Sequence, residues 1–166
     1  MTVPTDGDIR NLVLRVAERL TALDRRLVTA ESCTGGWVAK ACTDLPGSSR
    51  WFRGGIVAYD NELKASRLAV HRGILAADGA VSQATVREMA VGALGELGGD
   101  IAVAVSGIAG PDGGGPGKPI GTVWFAWAVR SDDRSEVRTQ LEIFPGDRDA
   151  VRRQAVACAL AGVLEA

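Results

Sequence analysis

Apolar residues recur along this chain with two different periods, and the places where one gives way to the other divide it into elements. Ile9, Leu12, Val13, Val16, Leu20 and Leu23 fall at three- and four-residue spacing. That is the stripe of an amphipathic helix, predicted over residues 8–24 with Asp8 as its cap. Arg26–Ala30 then reads as a short strand. It runs through Glu31-Ser-Cys-Thr-Gly-Gly36 into a helical segment over Trp37–Leu45, so a strand–turn–helix joint is expected there. Pro46-Gly-Ser-Ser49 breaks the pattern. A second strand is predicted over Gly55–Tyr59, followed by helices over Asn61–Leu68, 72–78 and 82–97. The last of these carries Val86, Met89, Ala90, Ala93, Leu94 and Leu97 along one side, and Ser82 is placed to cap it.

Ile101–Ser106 is apolar up to its final serine, as in a strand buried on both faces. It opens into the glycine-rich stretch Gly107–Gly117. Gly121–Arg130 and Glu136–Phe144 alternate as two long strands, and the intervening Ser131–Arg134 predicts an antiparallel hairpin. A final helix runs from near Gly146-Asp-Arg148 to about Leu164. Its second half, Ala155–Leu164, is apolar nearly all round, as in a helix buried in a core or a subunit interface. Strands alternating with helices predict a layered α/β fold, and the late hairpin makes the sheet mixed. No repeat and no linker divides the chain, so residues 1–166 are expected to form one domain.

Composition changes this picture only by exclusion. With 166 residues, 46% hydrophobic and 23% charged, the chain is long enough for a core without staples. A net charge of −1 is not that of a protein whose main partner is a nucleic-acid backbone. One histidine and three cysteines (Cys33, Cys42, Cys158) show no metal-ligand spacing, so no metal site is expected. Unpaired cysteines, no signal-peptide pattern at the N-terminus and no apolar run of about 20 residues predict a cytoplasmic protein away from membranes.

Several segments carry candidate chemistry, each with a plainer alternative. Ser32 sits where a strand meets a helix, beside backbone N–H groups of Cys33, Thr34, Gly35 and Gly36 that could hold an oxyanion. Ser32 or Thr34 could equally do no more than cap the next helix. A nucleophilic serine needs a base. His71, the only histidine, lies beside Arg72 in an apparent surface loop. Lys64, one helical turn beyond the strand ending at Tyr59, could serve if burial lowered its pKa; it could also be a solvated helix residue. The glycine-rich loop, with Ser106, Gly107 and Gly110, follows a buried strand, where ligands bind in open α/β sheets. It could also be a bare surface loop. It is not a P-loop, because Pro119 follows Lys118 where Ser or Thr is required. Arg148, Arg152 and Arg153 at the start of the last helix could grip a phosphate or pair with the neighbouring aspartates.

Together these segments resemble one family. Ala30-Glu-Ser-Cys-Thr-Gly-Gly36, Gly47-Ser-Ser-Arg-Trp-Phe52, Gly55-Ile-Val-Ala-Tyr59 with Lys64, Gly79-Ala-Val-Ser82, Ser106-Gly-Ile-Ala-Gly-Pro111, Lys118-Pro-Ile-Gly-Thr122 and Gly146-Asp-Arg148 resemble the CinA C-terminal domain family. The likeness runs from about residue 8 to 164, and the standalone form resembles the PncC-type nicotinamide mononucleotide deamidases. It implies a three-layer α/β/α sandwich that hydrolyses the carboxamide of nicotinamide mononucleotide, giving nicotinate mononucleotide and ammonia. Carried over by motif, Ser32 is the nucleophile and Lys64 its base, with Tyr59 close by and able to relay the proton. Cys33 is the rival nucleophile. The substrate would be held by Cys33, Thr34, Gly35, Gly36, Ser106, Gly107, Gly110, Thr122, Arg148 and Arg152. The resemblance implies no cofactor and no metal. It also implies self-association, with a dimer as the expected form. An amidase for another substrate is the alternative, as is a non-catalytic nucleotide-sensing or partner-binding module linked to competence and DNA damage.

Overall fold

A computed structural model describes residues 2–132 and 134–166. The chain runs α1 (Asp6–Ala22), β1 (Leu27–Glu31), α2 (Trp37–Thr43), a 3-10 turn (Ser48–Arg50), β2 (Phe52–Val57), α3 (Asn61–Leu68), α4 (Arg72–Ala77), α5 (Gln83–Leu97), β3 (Ile101–Gly107), β4 (Thr122–Arg130), β5 (Ser135–Ile143) and α6 (Arg148–Val163). The strands form one sheet in the order β2-β1-β3-β4-β5. β1 is parallel to both β2 and β3, while β4 is antiparallel to β3 and β5. The expected mixed α/β sheet is therefore present. Of the expected turn Ser131–Arg134, Asp133 lies outside the described residues. On either side of it the Ser131 amide donates to the Arg134 carbonyl at 3.1 Å.

Strand alternation gives the two sheet faces different characters. Leu27, Ile101, Val103, Val105, Val123, Phe125 and Trp127 point into a core shared with α1, α2 and α6. Val28, Ala30, Ala102, Ala104, Ala126 and Ala128 point the other way, against α3 and α5. The first face is built from large side chains and the second mostly from alanines, so α5 lies close to its face. Helices on both faces make the three layers that the resemblance implies.

Four expectations shift in detail. α1 begins at Asp6, capped by Thr5. Asp8 is the reciprocal partner in that cap, its carboxyl accepting from the Thr5 amide. Leu23 follows the helix end and is 49% exposed rather than core. β2 starts and ends earlier than Gly55–Tyr59, because its pairing with β1 begins at Phe52. α6 buries Val151, Ala155, Val156, Ala159, Leu160 and Val163 in its own core, but leaves Ala157, Cys158 and Ala161 half-buried on its outer flank. Among the described residues no helix is long and apolar enough to cross a membrane.

Candidate active site

Because β1, β2 and β3 are parallel, their C-terminal ends share one edge of the sheet. Three things follow at that edge: the turn after β1, the start of α3 after β2, and the glycine-rich loop after β3. It is also where β4 begins and where α6 starts after β5. Open α/β sheets bind ligands at such an edge.

The alternation of β1 decides which side chains meet there. Leu27 faces the α1–α2–α6 core, so Glu31 points the same way and Ser32 points the opposite way, toward α3. Lys64, on α3, comes from that side. Its Nζ lies 3.1 Å from Ser32 Oγ, and it donates to the carbonyls of Ala58 at 2.8 Å and Tyr59 at 3.0 Å. Lys64 is 1% exposed and Ser32 8% exposed. Burial pushes the lysine pKa down; the weaker pull of Asp60 and Cys33 opposes it. Lys64 is thus no solvated helix residue. His71 takes the bland role: exposed, it caps α4 by accepting from the Gly73 amide.

Neither Ser32 nor Thr34 caps α2. The residue at the cap is Gly36, at φ +92°, with no side chain to offer. The capping group comes from Glu31, which lies within the motif but has no role that its spacing reveals. Its carboxyl, 1% exposed, accepts from Thr34 Oγ1 at 2.6 Å and from the amides of Gly36 (3.0 Å), Val38 (3.0 Å) and Ala39 (2.8 Å). One signal in the sequence could have found it: a charged residue closing an otherwise apolar strand, just before a helix that lacks a capping side chain. The Gly35 amide donates to the Ser32 carbonyl. Among the described residues, the amides of Cys33 and Thr34 are the ones in this turn left without an acceptor. The Cys33 side chain lies in the core, and burial pushes its thiol up to about 12. A thiol so rarely ionised is a poor nucleophile.

The remaining residues of the expected site gather at the same edge in different capacities. The Ser106 hydroxyl donates to the Ala80 carbonyl. Thr122 donates to the Pro119 carbonyl and closes the glycine-rich loop, which is itself exposed over residues 111–117. Gly107 lies against Thr122 and Val123, where a Cβ would come within 2.8 Å of the Thr122 carbonyl. The Gly110 carbonyl accepts from Arg148 Nη1 at 2.8 Å, and Arg148 Nη2 donates to the Tyr59 hydroxyl at 3.2 Å. Tyr59 thus meets Lys64 through its carbonyl and Arg148 through its hydroxyl. Arg152 donates to the carbonyls of Cys33 (3.1 Å) and Thr34 (3.0 Å). Arg153 pairs with Asp6 and Asp149 instead.

A hollow of about 600 Å³ between α1 and α2 lies on the other face of the sheet, lined by Ile9, Val13, Trp37 and Leu45. It reaches Gly35 and Gly36 but neither Ser32 nor Lys64, and two of its three cations, Lys40 and Arg153, are paired with Asp44 and Asp6, the third being Arg10. The chemistry therefore belongs to the strand-end site. Among the described residues no group of three His, Cys, Asp or Glu side chains could hold a metal ion.

Residues 9–166 match the CinA C-terminal domain family. The chain belongs to that family. It is 54% identical over 156 residues to nicotinamide-nucleotide amidohydrolase PncC of Escherichia coli K12, covering 94% of this chain and 93% of that one. To the protein of the same name from Pseudomonas putida it is 49% identical over 157 residues, covering 95% and 96%. The crystal structure of the competence/damage inducible protein CihA from Agrobacterium tumefaciens superposes with a TM-score of 0.91. That pair shares 37% identity, with 99% of this chain and 98% of that one covered. The three-layer architecture is thus that of the CinA family.

Proposed function

We propose that this CinA-family chain is a single-domain amidohydrolase that converts nicotinamide mononucleotide and water to nicotinate mononucleotide and ammonia. Ser32 is its nucleophile and Lys64 its base. The observation that carries the reading is the seat of Lys64 Nζ. A neutral amine has two N–H bonds and one lone pair. With both N–H bonds directed at the carbonyls of Ala58 and Tyr59, the lone pair is left for Ser32 Oγ at 3.1 Å. Burial favours this neutral form. The names of the Escherichia coli and Pseudomonas putida relatives support the substrate.

Ser32 Oγ attacks the carboxamide carbon while its proton passes to Nζ. The amides of Cys33 and Thr34 hold the oxyanion. The proton on Nζ then goes to the departing nitrogen, and ammonia leaves an acyl–serine ester. Water, losing its proton to Nζ, cleaves that ester, and Ser32 recovers its hydrogen. The pyridinium ring withdraws electrons from the carboxamide and speeds the attack. Arg148 has N–H donors beyond the two it commits to Gly110 and Tyr59, and with the loop around Gly107 and Gly110 it suits the 5′-phosphate. Arg152, whose contacts are to the Cys33 and Thr34 carbonyls, supports the turn. Three unpaired cysteines fit a cytoplasmic setting.

Ammonia release should be at least about tenfold more efficient, by kcat/KM, from nicotinamide mononucleotide than from nicotinamide riboside. That is the least a charge-assisted phosphate contact should contribute. Equal use of the two would point to an amidase of another substrate. No release at all would point to a nucleotide-sensing module.

Self-association is part of the same reading. Two separate features leave apolar groups uncovered: the half-buried flank of α6 (Ala157, Cys158, Ala161) on one face of the sheet, and Leu141 and Ile143, 44% and 58% exposed, on the other face of the edge strand β5. The unpaired N–H and C=O groups along the free edge of β5 are a template for pairing with another chain. Sedimentation equilibrium at micromolar concentration should return twice the chain mass; the monomer mass would refute the dimer.

A further inference from the structure

We propose that Glu31 is a positioning residue for the reaction, fixing the turn that carries both the nucleophile and the oxyanion donors. The inference rests on the reading of Ser32 as nucleophile. Glu31 touches no reacting atom, because it points to the opposite face of the sheet from Ser32. Its carboxyl nevertheless gathers four donors from residues 34–39, the segment immediately after the nucleophile. Its own carbonyl accepts from the Ala58 amide at 2.8 Å, and the Ser32 amide donates to the Val105 carbonyl at 2.9 Å. Residues 31 and 32 are therefore held by β2, by β3 and by the start of α2 at once.

What this arrangement sets is the direction of the Cys33–Thr34 peptide plane. In a trans peptide the N–H and C=O point opposite ways. Arg152 on α6 binds the Cys33 carbonyl, which turns the Thr34 N–H away from α6. Glu31, holding Thr34 and Gly36 from β1, keeps the turn from rolling back. The Thr34 amide, without an acceptor, is thereby turned to the side of the sheet that Ser32 faces, next to the Cys33 amide that likewise has no acceptor, with no reorganisation needed as charge develops.

A carboxamide cannot replace this carboxyl. Both oxygens already accept from N–H groups, so either orientation of a carboxamide at this position would set an N–H against an N–H. Glu31→Gln should lower kcat for nicotinamide mononucleotide by about 100-fold, the scale of one lost oxyanion donor, with KM within about threefold. Thr34→Val removes a single donor to Glu31 and should lower kcat by roughly tenfold in the same pattern. A fluorophosphonate probe, whose fluoride is displaced by Ser32 Oγ at phosphorus, should label both variants correspondingly more slowly. A folded Glu31→Gln protein with kcat and labelling rate near wild type would overturn the inference. Should that variant not fold, wild-type kcat and labelling in folded Thr34→Val would overturn it instead. The two readings fail separately. Wild type that is labelled at Ser32 but releases no ammonia contradicts the deamidase, while the labelling rates of the variants still decide the role of Glu31. Wild type that is neither labelled nor active sinks both.

Discussion

Ser32→Ala is expected to lose at least about 10⁴ in kcat for ammonia release, roughly 5 kcal/mol in the barrier, while folding as the wild type does. The size follows from the role: without Oγ there is no acyl intermediate, and water would have to attack an amide directly. The fold should survive because the side chain's one polar contact is with Lys64 Nζ, which keeps its two carbonyl partners. Cys33→Ala, made beside it, should keep kcat within a few-fold, since the Cys33 thiol is in the core and held protonated. Circular dichroism verifies folding and an ammonia assay reads turnover. Full activity in Ser32→Ala, or its loss in folded Cys33→Ala, would reverse the assignment of the nucleophile.

Replacing Lys64 is expected to have the next largest effect, about 10²–10⁴ in kcat/KM, the range for a general base. Lys64→Met and Lys64→Arg separate base from charge. Arginine keeps the cation but cannot give up a proton at any working pH, so it should be as inactive as methionine if Lys64 acts as base. An arginine variant near wild-type activity would reduce Lys64 to an electrostatic role. The wild-type pH profile carries the same information. Activity requires the neutral amine, so kcat/KM should climb with pH through the pKa of Lys64. Burial places that pKa below the ordinary lysine value of about 10.4. Stability has the same sign. Between the folded and unfolded pKa values of this lysine the unfolded chain binds more protons, so stability from this group rises with pH over that window. Below the folded pKa the full cost of burying an ammonium is present. Lys64→Met removes this titration but leaves the Ala58 and Tyr59 carbonyls without their donor, so its Tm should rise less with pH over that window than the wild-type Tm does, although it is inactive.

The elements themselves were legible in the sequence because the signals that make them are local. The stripe on α5, the Ser82 cap, the apolar run of β3 and the alternation of β4 and β5 each need only neighbouring residues to be read. Which elements exist followed from periodicity; boundaries shifted where pairing or capping intervened, as at Thr5 and Phe52. The resemblance brought Ser32 and Lys64 together on paper, yet spacing alone left Lys64 an ordinary helix residue. Only the tertiary structure decided otherwise. Parallel pairing of β1 and β2 sets α3 beside the end of β1, and strand alternation turns Ser32, but not Glu31, toward it. The same limit applies to Arg148, Arg152 and Arg153. Successive helix positions are about 100° apart, so their different partners depend on what surrounds α6. Glu31 shows the limit most clearly. Its residue type and position were in view from the start, but its work is to satisfy donors on residues 34–39, and which groups a side chain reaches is a property of the assembled fold. Local pattern therefore determined the pieces of this protein, and burial and strand order determined their chemistry, because a base, a nucleophile and an oxyanion site are defined by distances between segments.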